Sequence, residues 1–186
     1  MYGISLASSF IIGAMVIIQI AAMNATVTDQ LYRSGTERTA IEVAASLSQL
    51  LESDLRKMGL GLEDPRTSIV AADSTSLVFW ADVDLDDTPE QVSYWLSSPD
   101  SAATTANPDD RLFYRTVDGE PLADPALGVV DVEFLFFDGT GAQTTDWGTV
   151  RSIRYTIAVE PPEPMDEFDP VSAVTSGSVF PKNLVL

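Results

Sequence analysis

From Met1 to Thr28 the chain carries no charged side chain, and the stretch from Ile4 to Met23 is almost wholly apolar. Twenty such residues in a helix rise about 30 Å, the thickness of a bilayer's hydrocarbon core. A helical pattern then continues to about Met58, after which the sequence changes to short strand-like segments. The layout predicts an α+β chain: a long N-terminal helix, membrane-spanning in its first half, packed on a small antiparallel β-sheet head. Three segments follow. Residues 1–28 form the transmembrane or assembly half of the helix, 29–59 an amphipathic half, and 60–186 an acidic β-rich head of ordinary size for one domain.

A cleaved secretory signal has a basic n-region, a shorter apolar core and a small-residue cleavage site. No Lys or Arg precedes this core, and Ala21-Ala22-Met23 matches a cleavage site only loosely, so the segment reads as a retained anchor. The positive-inside rule finds no base ahead of the span. The nearest bases, Arg33 and Arg38, lie behind it and argue weakly for a head on the cytoplasmic side. Inside the span, Gly13 and Ala14 are small enough to let helices approach, and Gln19 can hydrogen-bond across them.

Between Asn24 and Gly35 the pattern is polar and interrupted by Thr26, Thr28 and Gly35, which predicts a loosened helix. From Thr36 onward, Ile41, Ala44, Leu47, Leu51, Leu55 and Met58 recur at spacings of three and four. That is one apolar helix face, and Ile41, Leu47, Leu51 and Leu55 are the expected contacts with the head. Glu52 and Arg56 form an i,i+4 pair in the favourable order. Gly59 and Gly61 supply the stop, and Pro65 prevents the helix from resuming.

Strand signals follow. Ser76 to Trp80 and Gln91 to Leu96 flank an acidic turn, Asp82 to Glu90, and read as a hairpin. Arg111 to Val117 is a third strand closed by Asp118-Gly119, and Val129 to Phe137 a fourth closed by Asp138-Gly139. In Val150 to Glu160 the apolar residues alternate, except that Ile153 breaks the count by one, as a bulge would. Pro161 to Pro170 reads as a loop, and Ser178 to Leu186 as a last short strand.

Charge excludes several functions. Residues 1–59 hold five acids and four bases, so nearly all of the formal net charge of −18 sits in the head. Such a surface repels phosphate backbones, which argues against nucleic-acid binding. The absence of Cys and His removes disulfides, thiol nucleophiles, the usual zinc sites and His-based acid–base chemistry. No Gly-rich phosphate loop is present, and Lys57 and Lys182, the only lysines, sit in no nucleophile motif. Neither an enzyme nor a small-molecule substrate is expected.

The turn Asp82, Asp84, Asp86 and Asp87 places carboxylates as a calcium loop would, but an EF-hand needs Gly at loop position six and Glu at twelve. Asp87 and Ser93 stand there. A simpler Ca2+ site on these four side chains is one reading; a solvated hairpin turn is the plainer one. Asp109-Asp110 and the cluster Glu163, Asp166, Glu167 and Asp169 read as solvated loops. Of the tryptophans, Trp80 and Trp95 are expected in or beside the core, and Trp147, in a Gly/Thr loop, at the surface.

In this order the segments resemble type IV pilin-like proteins, more narrowly the larger minor pilins and pseudopilins of pilus and type II secretion machineries. The carriers are the apolar helix running into an amphipathic one and the helix end Leu51-Glu52-Ser53-Asp54-Leu55-Arg56-Lys57-Met58-Gly59. Phe79-Trp80-Ala81-Asp82-Val83-Asp84, Val132-Glu133-Phe134-Leu135-Phe136-Phe137-Asp138-Gly139, Val150-Arg151-Ser152-Ile153-Arg154-Tyr155 and the closing Pro181-Lys182-Asn183-Leu184 complete them. The resemblance implies a single-pass protein of the inner or cytoplasmic membrane whose head lies outside the cytoplasm. It also implies assembly, through the N-terminal helix, with other pilin-like subunits into a periplasmic or cell-surface filament.

Two departures bear on that. Family members begin with a short basic leader ending in Gly; none is visible ahead of Met1, which is either a mature residue or a genuine start. The family's fifth mature residue is usually a Glu that pairs with a neighbour's N-terminus, and counting from Met1 that place holds Ser5. The resemblance then implies a minor, tip-located or initiating subunit. The alternative is a single-pass acidic β domain that binds a surface partner or a divalent cation without polymerising.

Overall fold

The structure, a computed structural model, describes residues 2–102, 105, 107–121, 124–161 and 173–185. Two compact units divide the chain, Met1–Thr36 and Glu37–Leu186. One helix, α1 (Tyr2–Lys57), supplies all of the first and the opening of the second.

In the first unit the expected loosening between Asn24 and Gly35 does not occur, and α1 is unbroken there. The hydroxyls of Thr26 and Thr28 donate to the carbonyls of Ala22 and Asn24 at 3.0 and 2.9 Å. Thr36 does the same to Arg33 at 2.9 Å. A hydroxyl bonded to its own preceding turn no longer competes for backbone amides, so these threonines are compatible with helix. An isolated Gly costs a helix only about 1 kcal/mol relative to Ala, which Gly35 shows is borne.

In the second unit the helix buries Ala40, Ala44, Leu51 and Leu55, and Met58 just after it, with Val43 and Leu47 partly covered. Ile41, expected in this set, is 52% exposed. The buried stripe begins one residue earlier, at Ala40, and one residue is a rotation of about 100°. Small side chains, not the branched one, are what the sheet covers at this end of the stripe. The helix stops as expected at Gly59 (φ 79°) and Gly61 (φ 82°), both left-handed. Gly59 donates its N–H to the carbonyl of Trp80 at 2.9 Å.

A single antiparallel sheet receives that stripe. Its strands are β1 (Ile69–Ala72), β2 (Ser76–Ala81), β3 (Glu90–Leu96), β4 (Arg111–Val117), β5 (Glu120–Pro121), β6 (Ala126–Asp138), β7 (Val150–Val159) and β8 (Ala173–Val179). Their order is β1-β2-β3-β4-β6-β7-β8, with β5 hairpinned onto β4. The hairpins at Asp82–Glu90, Asp118-Gly119 and Asp138-Gly139 lie where the turn residues put them. Asp118 (φ 51°) and Gly119 (φ 82°) are both left-handed, as a two-residue turn of this hand requires.

Alternation decides what faces the helix. Leu77, Phe79 and Ala81 of β2, Val92 and Tyr94 of β3, Val132, Phe134 and Phe136 of β6, and Ile153, Tyr155 and Ile157 of β7 are all buried in one cluster with the helix stripe. The count break in β7 is a bulge: Phe137 pairs with Ser152 but Asp138 with Val150, leaving Arg151 as the extra residue. Gly177 of β8 pairs with Tyr155, and any Cβ there would collide with the tyrosine ring.

Two elements differ from expectation. Strand β1 carries no sequence signal of its own, because Ile-Val-Ala-Ala is too short and uniform to show a period of two. The last strand begins and ends earlier, at Ala173–Val179 rather than Ser178 to Leu186, and Lys182–Val185 form a 3-10 turn. Pro181 explains the break, since it lacks the N–H that a ladder needs.

Leu51 is fully buried at the centre of the helix–sheet contact. Leu51→Ala should therefore cost about 2–5 kcal/mol, whereas Ile41→Ala should stay within about 0.5 kcal/mol. Equilibrium denaturation of the two variants checks this, and equal losses would be incompatible with the stripe described.

Candidate functional site

Three features outside the apolar core have chemistry: the uncharged half of α1, a buried polar tether between α1 and the sheet, and the acidic β2–β3 loop. The first is a helix long and apolar enough to cross a membrane. Phe10, Ile11, Ile12, Ile17, Ile18 and Ile20 are all exposed along it.

Gly13, Ala14 and Gln19, also exposed, do not share a face. At about 100° per residue they point in three directions. What the sequence reading missed is that Ala14, Ala21, Ala25 and Thr28 follow one another at seven, four and three residues. Those spacings keep small side chains on one face, along which a second helix can come close. Ser5 lies in α1, but its side chain is outside what the structure describes.

The tether is built by facing residues of β3 and β4. Tyr94 and Arg115 are cross-strand partners, and both meet Asp54 of α1, whose carboxylate is buried. Tyr94 Oη and Arg115 Nε each donate to Asp54 Oδ2 at 2.7 Å, and Arg115 Nε also reaches Tyr94 Oη at 3.0 Å. Burial, reinforced by the Asp54 charge, pushes the Tyr94 phenol far up, so it serves only as a neutral donor. A second tether lies one turn away. The Tyr155 hydroxyl donates to Glu52 Oε1 at 2.9 Å and shares a 2.6 Å hydrogen bond with Ser48. Accepting from Tyr155, and then from Arg56, holds the Glu52 carboxyl below its usual range. The spacing of Asp54, three after Leu51 and four before Met58, was the available signal: an acid on the apolar stripe needs a buried partner.

The acidic loop is organised around Asp82, which is 3% exposed. Its Oδ1 accepts from the amides of Leu85 (2.6 Å) and Asp86 (3.2 Å), and its Oδ2 from Asp87 (3.0 Å). Glu90 Oε2 accepts from Val83 N–H at 2.9 Å, and Lys57 Nζ donates to the Val83 carbonyl, tying the loop to the end of α1. Carboxylate oxygens of Asp82, Asp84, Asp86 and Glu90 lie within 4.8 Å of one another. The expected fourth member, Asp87, is not in this group. It offers Asp82 its amide instead, and Glu90, brought back by the hairpin, takes its place. These are oxygen donors of the kind Ca2+ accepts, yet three backbone amides already account for Asp82.

The remaining acids and aromatics fall as follows. Glu163, Asp166, Glu167 and Asp169 lie outside the described residues. Asp109 is exposed, but Asp110 is 1% exposed and neither of its oxygens has a hydrogen-bond partner among the described residues. Burial, with Glu160 and Asp109 nearby, pushes its carboxyl upward. Trp147 is half-buried, edge-on to Phe136 at 5.2 Å, rather than free at the surface. Trp80 and Trp95 sit half-buried on the sheet face away from the helix, where Trp95 stacks on Tyr114 at 4.9 Å.

Asp110 yields a pH test. Its folded pKa is above the unfolded one, so below about pH 4 the carboxyl is neutral in both states and costs nothing extra. As pH rises through the ordinary carboxylate range, the unfolded state ionises first and stability falls. Asp110→Asn should raise the thermal midpoint at about pH 7, and the gain should vanish near about pH 4. A gain that is independent of pH would assign the effect to packing.

Compared with protein-family models, with curated proteins and with solved structures, the chain finds no match.

Proposed function

We propose that this chain is a membrane-anchored, non-enzymatic subunit of a pilin-like filament of the type IV pilus or type II secretion kind. The observation that carries the reading is the division of labour along α1. Its uncharged half exposes large apolar side chains all round, while its second half is committed to the sheet through Leu51, Leu55 and the Asp54 tether. A helix that is apolar on every side needs lipid or other helices around it. The monomer is held in the membrane by that half, with the acidic head outside the cytoplasm. On assembly the half-helix leaves lipid for a bundle of like helices, where the small-residue face of Ala14, Ala21 and Ala25 allows close approach. The resemblance of the helix end and of the Asn-Leu tail to minor pilins supports the same reading.

Two measurements test it. The full chain should partition with membranes or detergent, and removal of residues 1–28 should release a soluble head. A full chain that stays in the aqueous phase, and not as filaments, rules out the anchor. Cysteines placed singly at Gly13 and Ala21, in a chain that has no others, should give crosslinked ladders in membranes that contain pilin-like partners. Monomer alone under those conditions favours a non-polymerising anchored domain. Long homogeneous filaments from this chain alone would keep the pilin-like reading and remove the minor-subunit one.

A further inference from the structure

Two surface features of the head are complementary. The first is Leu85. It is 67% exposed at the tip of the β2–β3 loop, flanked by the exposed carboxylates of Asp84, Asp86 and Asp87. Its φ of 67° is left-handed, a region that branched and bulky side chains avoid and that Gly or Asn would occupy more easily. The loop nevertheless fixes it there, because Asp82 Oδ1 accepts its amide. A strained, exposed leucine held rigidly among acids is costly to the monomer, and such outliers cluster where a surface does something.

The second feature is a cleft of about 640 Å³ at the β6–β7–β8 end of the sheet, lined by Phe137, Arg151, Arg154, Phe180 and the Asp138 turn. The guanidinium of Arg154 lies over the Phe137 ring at 4.9 Å, and Phe180 is 66% exposed. The head has six bases against 23 acids, and this cleft gathers two of the six. Asp138, the acid in its wall, is occupied by hydrogen bonds from Thr140 and Ala142. Arg151 Nη1 donates to the carbonyls of Gly148 and Val150, which fixes its guanidinium at the wall without neutralising its charge. With Arg154 it gives the cleft an apolar seat beside two cations, which fits an apolar side chain flanked by carboxylates. Leu85 does not line the cleft of its own chain.

We propose that the acidic loop of one copy seats Leu85 in the cleft between Phe137, Phe180, Arg151 and Arg154 of a neighbouring copy. Asp84 and Asp86 then face Arg151 and Arg154, and the two surfaces used are different, so the contact is head-to-tail. It rests on the filament reading in that the membrane helix brings copies together and raises their effective concentration. It calls for at least two adjacent copies of this chain, as a small oligomer at a tip or initiating position would supply.

The test uses the full chain in membranes, with Thr88→Cys in one tagged copy and Ser178→Cys in another, so that Leu85 and Phe180 stay intact. A short bifunctional thiol reagent should join the Thr88→Cys and Ser178→Cys copies in preference to either like pair. Arg154→Glu in the cleft copy should cut that product about fivefold, and Asp84→Arg in the loop copy should restore it. Leu85→Ser should lower it with the charges left in place. Loss of the mixed product while Ala21→Cys copies still crosslink would overturn the head contact and leave the filament reading standing. A mixed product indifferent to Arg154→Glu would overturn it as well.

Discussion

Asp54 is the residue on which the head's arrangement depends. A carboxylate on the apolar stripe of a helix must be met by donors or it destabilises the fold by several kcal/mol. Tyr94 and Arg115 meet it, and they do so because β3 and β4 pair with those two residues opposite each other. A one-residue slip of β4 would turn Arg115 to the other face and leave the Asp54 carboxylate with Tyr94 but without its buried cation. The interaction therefore selects a register and a rotation of the helix more than it adds stability, since a buried ion pair of this kind often does no better than apolar residues of the same size. Tyr155 applies the same logic one turn earlier. It can cross β8 to reach Ser48 and Glu52 only because position 177 is Gly.

Much of this frame is legible in the chain. The stripe ending in Leu51, Leu55 and Met58, the Gly59 stop and the three hairpins at Asp-rich or Asp-Gly turns are all local patterns, and the structure has them. The misses have particular causes. Ile41 reads as inward because a branched apolar residue outranks alanine on any hydropathy scale, yet the sheet covers the small side chain beside it. The threonines after Asn24 read as breakers only if their hydroxyls are free, and they are bonded within the helix. Strand β1 is fixed by its partner β2, which local periodicity cannot register. At the acidic loop the spacing of acids named Asp87, whereas hairpin closure, a non-local event, brought in Glu90.

The bases show how the head manages its charge. Arg115 is spent on Asp54, Lys57 on the Val83 carbonyl at the loop, and Arg56 on Glu52. Each attaches the helix to something or shields an acid beside it. Most of the head's acids among the described residues are exposed, which favours solubility and discourages indiscriminate contact. Against that background an arginine pair beside two phenylalanines is a local reversal of sign. Specific contact with an acidic surface needs such a reversal, and non-specific association would need more of them than the head has.

The uncharged half of α1 is matched to surroundings other than water. Each of its large side chains is worth roughly 1.5–3 kcal/mol on leaving water, so water is not its final surrounding. Lipid and a bundle of apolar helices satisfy it about equally, because hydrocarbon tails are as apolar as leucine. Exchange between the two is then nearly neutral in hydrophobic energy, and the balance falls to close packing and to the few polar groups. In this helix those are the small face of Ala14, Ala21, Ala25 and Thr28, and Gln19 on another side. Attraction of this helix to another apolar helix therefore has to come from close packing along such a face, since hydrophobic energy does not favour one apolar surrounding over the other.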